Sequence, residues 1–95
     1  MLIKINDLTG DFAENKDVAK DIRINQIMPS LKLKEEITLD FTGVSGATQS
    51  FMHALISDGI RNYSDTFFDL VLFKGCSPVV KEVVNIVAEY MQETE

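Results

Sequence analysis

Cysteine is almost missing from this sequence: Cys76 stands alone, so no intrachain disulfide can form, and with His53 the single histidine there is no Cys/His cluster for zinc. A reducing, cytoplasmic setting is the expectation. Basic residues are also scarce. Lys and Arg number 9 against 15 Asp and Glu, giving a net charge of −6 and a pI near 4.6. Such a surface repels phosphate backbones, which argues against nucleic acid as a partner. The one local basic pair, Lys32 and Lys34, is followed at once by Glu35 and Glu36. Long apolar runs are missing too. No stretch approaches the roughly 20 residues that span a bilayer, and Met1-Leu-Ile-Lys-Ile lacks the roughly 7 to 15 apolar residues of a secretory signal, so no membrane attachment is expected. No repeat, low-complexity segment or catalytic motif is visible. The 95 residues suit a single domain, 1–95, with its core between about 2 and 92. A chain of this size buries roughly 60 to 65% of its unfolded surface, so modest stability is expected, and a homodimer would cover more.

What is present is a strand, a turn and a helix in succession. Ile37, Leu39 and Phe41 alternate as β-formers, Gly43 and Gly46 bracket a hydroxyl-rich turn, and Phe51, Leu55, Ile56 and Ile60 return at helical spacing. The strand is placed at 36–41 and the helix at 48–61, with Gly59 either a close-packing point or the beginning of fraying. Ahead of this unit, Leu2, Ile3 and Ile5 suggest a weak edge strand closed by Asn6-Asp7. Asn15 is placed to cap a helix over 15–28, with Asp17 in its first turn and Val18, Ala19 and Ile22 as an apolar ridge; Pro29 is expected to end it near Ile27 or Met28. Beyond the unit, Phe68 to Phe73 is nearly continuously apolar and reads as a central strand, parallel to the first and covered on both faces. Ser77 then caps a last helix opened by Pro78. Val80, Val83, Val84, Val87 and Met91 form its inner ridge, while Val79, Ile86 and Tyr90 widen the apolar arc to a surface that a partner could meet. The alternation of strands and helices implies right-handed crossovers and the α/β class: a small sandwich, its mostly parallel sheet of about four strands packed with helices.

Leu39-Asp-Phe-Thr-Gly-Val44, followed by Gln49-Ser-Phe51, resembles the STAS-like domain family of unknown function, small relatives of the anti-sigma-factor antagonists of bacterial-type signalling. Ala19-Lys-Asp-Ile-Arg23 is similar to that family's first-helix pattern and Ser77-Pro-Val-Val-Lys81 to its last-helix opening, so the likeness runs over residues 10–92. The resemblance implies a STAS-like fold and a non-enzymatic protein–protein interaction module of regulatory type. Its docking surface would surround the start of the second helix, and its partner would be an ATPase of the histidine-kinase-like type. In the antagonists this turn carries Asp-Ser-Ser-Gly, whose second serine is phosphorylated by the partner kinase. Ser50 takes that place here, with Thr48 for the aspartate, Gln49 for the first serine and Phe51 for the glycine.

Thr48, Gln49, Ser50, His53 and Ser57 are therefore the candidate interaction and phosphorylation residues. At i, i+3 and i+7, Ser50, His53 and Ser57 fall opposite Phe51, Leu55 and Ile56, which predicts that all three are exposed. Ser50 in the first helical turn suits a phosphate, and it equally suits a plain capping role, as do Thr48 and Ser45. A Ser50/His53 nucleophile pair has no orienting carboxylate and no oxyanion pocket, so no catalytic residue is assigned. Asp40, at the end of the strand, either serves a ligand or accepts hydrogen bonds from the turn N–H groups of residues 43–45. Cys76 either has a lowered pKa before its helix or is a small packing element. Phe67 and Phe68 either make an exposed aromatic contact or, for at least one of them, belong to the core. Gly43-Val-Ser-Gly46 lacks the lysine and glycine spacing of a nucleotide binder. A small-ligand or nucleotide sensor using the turn after Phe41 is the alternative function. Neither a cofactor nor a metal is expected.

Overall fold

The computed structural model describes residues 1–93; Thr94 and Glu95, part of the expected domain, lie outside the described residues. Its elements are β1 (Leu2–Lys4), α1 (Ile5–Thr9), β2 (Phe12–Ala13), α2 (Lys16–Ile22), a π-helical turn (Arg23–Ile27), α3 (Met28–Lys32), β3 (Ile37–Asp40), β4 (Gly46–Ala47), α4 (Gln49–Asn62), α5 (Phe67–Leu70), β5 (Val71–Lys74) and α6 (Pro78–Glu93). The α/β class and the parallel pairing are as expected. The strands number five rather than four, and they divide into a three-stranded sheet, β1-β3-β5, and a two-stranded one, β2-β4.

β3 is the middle strand, parallel to both neighbours. Its alternation decides which way the sheet faces. Ile37, Leu39 and Phe41 are fully buried, and register sets Ile3 and Phe73 on either side of Leu39 and Val71 beside Ile37. Helices α2, α4 and α6 complete this core through Ala19, Ile22, Phe51, Leu55, Val80 and Val84. Leu2, Thr38 and Leu72 share the opposite face with Lys4, Asp40 and Lys74, and that face is open: Leu2 is 50% and Leu72 38% exposed.

Two expectations about the elements are corrected. The apolar run Phe68 to Phe73 is not a central strand covered on both faces. Its first part lies in α5 and the rest is β5, an edge strand. A short apolar run has no periodicity to separate helix from strand, and here the Val71 N–H closes a helical turn on the Phe67 carbonyl. The second correction concerns Pro29, which does not stop the helix. Asn15 caps α2 as expected, its Oδ1 accepting from the N–H groups of Asp17 at 2.9 Å and Val18 at 3.3 Å. Helical structure then continues to Lys32, because the Met28 N–H bonds back to the Arg23 carbonyl, five residues earlier, and shifts the ladder just before the proline. Pro29, which has no N–H to place, falls in the opening turn of α3.

Gly59 proves to be a close-packing point. A Cβ there would stand 2.6 Å from Cε1 of the fully buried Phe67 and 3.1 Å from Cδ1 of Leu31. Gly59→Ala is therefore expected to destabilise by about 1 to 3 kcal/mol, although alanine alone gains about 1 kcal/mol of helix propensity. Leu39→Ala and Phe41→Ala should each cost about 2 to 5 kcal/mol in urea melts, and losses under about 0.5 kcal/mol at both would show that β3 is not the centre of the core.

Candidate functional site

The loops leaving β3 and β5 are locked together at one point. Gly75 has φ +67°, and a Cβ there would run into the Thr42 hydroxyl and lie 2.8 Å from the Thr42 nitrogen, so no other residue fits. Thr42 in turn donates its hydroxyl at 2.6 Å and its N–H at 3.0 Å to Asp40 Oδ1. The hydroxyl first, then the N–H, hold the Asp40 carboxyl below its ordinary range, with Lys74 and Lys4 assisting against desolvation. Asp40 thus takes the structural role, but its donors come from Thr42 rather than from residues 43–45. Three other turn amides are committed elsewhere: Val44 N–H to the Phe41 carbonyl at 2.9 Å, Ser45 N–H to the Asp11 carbonyl at 2.7 Å and Thr48 N–H to the Ala13 carbonyl at 3.0 Å. Cys76 is half-buried, and burial pushes its thiol up despite Lys81, which makes it a packing element rather than a reactive thiolate.

The short β2-β4 ladder, Phe12 beside Gly46 and Ala13 beside Ala47, delivers the chain to α4. Thr48 caps that helix, its Oγ1 accepting from the Phe51 N–H at 3.0 Å. Ser50 is thereby released from capping, and Gln49, Ser50 and His53 are exposed as expected. With Lys16 from α2 and Ile86 and Tyr90 from α6 they line an open groove of about 540 Å³. The His53 ring lies 6.3 Å from that of Tyr90, inclined at 59°.

Ser57 is contradicted: it is 3% exposed and does not belong to the rim. Spacing of i, i+7 fixes direction around a helix, not depth, and α2 and α6 both pack against α4. One further set of contacts escaped sequence reasoning. Arg23 Nη1 donates to the Ala54 carbonyl at 3.1 Å and its Nε lies 3.5 Å from Asp58, which also meets Arg61 at 3.2 Å. The only sign of it was Arg23 closing the Ala19-Lys-Asp-Ile-Arg23 pattern. Lys16, beside the Asn15 cap, carried no signal at all.

Residues 18–81, more than half of the chain, match the family model of the STAS-like domain of unknown function (DUF4325). The chain belongs to this family. No curated protein and no solved structure matches it. The matched stretch of this STAS-like domain begins within α2 and ends in the first turn of α6, so it contains the Asp40–Thr42–Gly75 lock and Thr48, Gln49, Ser50, His53 and Ser57. Among the described residues no helix is long and apolar enough to cross a membrane, and no group of His, Cys, Asp and Glu is placed to hold a metal ion.

Because its pKa is lowered by folding, Asp40 contributes stability above its unfolded pKa near 3.8, and the contribution is lost as pH falls through the folded value. Asp40→Asn should accordingly be less stable than wild type at pH 7, with the gap closing as pH drops below about 4. Thermal melts of both proteins across that range measure it; a gap that does not change with pH would show that the carboxylate charge is immaterial.

Proposed function

We propose that this STAS-like domain is a non-enzymatic, regulatory protein-interaction module that docks its partner through the groove at the start of α4. The observation that carries this reading is a polar rim of Lys16, Gln49, Ser50 and His53 beside apolar residues that α6 leaves outside, Ile86 at 39% and Tyr90 at 55% exposed. An apolar, aromatic centre with a polar surround is the make-up of protein interfaces. The lining offers the hydroxyls of Ser50 and Tyr90, an imidazole and an ammonium group but no carboxylate to orient the imidazole, which favours binding over nucleophilic catalysis. The sensor alternative is weakened by the turn after Phe41, whose amides at Thr42, Val44 and Ser45 already donate within the fold.

Ser50 is the natural switch in this groove. Its hydroxyl is exposed in the first turn of α4, which Thr48 already caps, and Lys16 lines the same groove. A phosphoryl group there would add about −1.5 to −2 of charge beside the unpaired N–H groups of the helix, and would alter what the groove accepts. A histidine-kinase-like ATPase in the cytoplasm is the partner class that kinship with the anti-sigma-factor antagonists implies.

A pull-down from the native host, read by mass spectrometry, supplies the partner. Ser50→Asp should then weaken its binding by about 2 kcal/mol or more if the residue is central to the interface. The melting temperature should hardly change, since an acidic residue in a first turn is favourable by a few tenths of a kcal/mol. Unchanged affinity would remove Ser50 from the contact.

A further inference from the structure

We propose that α6 packs against α6 of a second copy of this chain, the two helices parallel across a two-fold axis, and that each then lies over the other copy's α4 groove. Val79, Val83, Ile86 and Tyr90 recur at spacings of four, three and four residues, the a/d repeat by which two helices pack side by side. The fold leaves most of this line outside: Val79 is 55%, Ile86 39% and Tyr90 55% exposed, with Val83 at 9% between them. The core takes a different line of the same helix, Val80, Val84, Val87 and Met91. A helix with one apolar line turned in and another turned out is built for two neighbours.

Charge selects a second copy as the outer neighbour. With Val79 and Ile86 at d and Val83 and Tyr90 at a, the exposed Glu82 and Glu89 take the g positions that flank the seam on one side. On the other side the e positions, Val80 and Val87, are buried, and the rim of the α4 groove stands in their place. That lining carries Lys16 and His53 and no carboxylate; Asp17, next to Lys16 in sequence, is not part of it. Among the described residues the ion pairs join Arg23 and Arg61 to Asp58, and none includes Glu82, Glu89 or Lys16. A parallel two-fold lays each g flank against the e flank of the other copy, which here brings Glu82 and Glu89 to the rim of Lys16 and His53, once on each side of the axis. An antiparallel pair would set the glutamates of both copies along one flank. An unrelated chain has to supply both halves of this pattern, whereas a second copy already carries them. Two heptads are too short to hold isolated helices together, so the pairing is weak and concentration-dependent. Ile86, Tyr90, His53 and Lys16 also form the surface proposed for the regulatory partner, so that partner would meet the monomer and compete with the pair. The pairing stands on α6 itself, whether or not a partner docks.

Sedimentation equilibrium of the full chain, from about 1 μM to about 1 mM, should show the mass rising from 10.7 kDa toward twice that value, with a Kd on the order of 100 μM. Val79→Ser combined with Tyr90→Ser should raise that Kd about tenfold or more. Both side chains are exposed, so the melting temperature should hardly move. Glu82→Lys combined with Glu89→Lys should raise the Kd about tenfold, and adding Lys16→Glu should recover most of the loss, a rescue that mere damage to α6 would not allow. Orientation is read by oxidation with copper phenanthroline. Val79→Cys in a Cys76→Ser background should form a disulfide-linked dimer, because position 79 meets its own mate in a parallel pair. Lys81→Cys in the same background, placed off the seam, should not. Three results overturn the proposal: a chain that stays monomeric at about 1 mM, a dimer indifferent to both paired substitutions, or crosslinking at position 81 as fast as at position 79. None of them bears on the docking of a partner, which Ser50→Asp tests separately.

Discussion

β3 is hydrogen-bonded on both sides, and its inward residues Ile37, Leu39 and Phe41 are sealed from water. β1 and β5 do not touch each other in the sheet order, so each owes its place to the middle strand. The helices depend on it as well, because Phe51, Leu55 and Val80 share a core with those three residues. Burial of large side chains supplies the energy, while the alternation of the strand decides on which face it is gained. The lock at its end, Asp40 to Thr42 with Gly75 pressed against it, sets the distance between the loops that leave β3 and β5. The groove proposed for docking therefore lies at the margin of a fully buried centre, beside α4.

Helices cover one face of the main sheet and leave the other to Leu2, Thr38, Leu72 and the row Lys4, Asp40, Lys74. In that row a carboxylate stands between two ammonium groups, with like charges never directly adjacent, an arrangement that favours pairing across strands. The two edges of this sheet also differ. At β5 a helical turn uses the first outward amide, the kind of protection that prevents strands from joining; β1 has no such cover.

Much of this was legible in the sequence, for identifiable reasons. Asn15, Thr48 and Ser77 announce helix starts through side-chain oxygens that the structure places on backbone N–H groups. Ile37 to Phe41 alternates strictly, and a period of two has no helical reading. Phe68 to Phe73 failed because a run without period leaves helix and strand undecided, and α5 was hidden inside it. Pro29 misled because its local rule was evaded by a slipped hydrogen bond at Met28, which no residue preference reports. Gln49, Ser50 and His53 were correctly placed outside, whereas Ser57 was lost to the helices that flank it. Lys16 came to the site through the β2-β4 ladder, a pairing of two residues on each strand that is too short to leave a pattern.

That small ladder has an electrostatic consequence. Because β2 and β4 run parallel and end side by side, α2 and α4 begin next to each other, and the Ser77 hydroxyl, donating to the Ser45 carbonyl, ties the start of α6 to the same place. Each helix end carries roughly half a positive charge. At the starts of α2 and α4 that charge meets both Lys16 and Asp17, so the place holds both signs on a chain whose net charge is −6. Electrostatically, the short ladder thus brings two helix starts to one place, where Asp17 offsets part of their positive end charge.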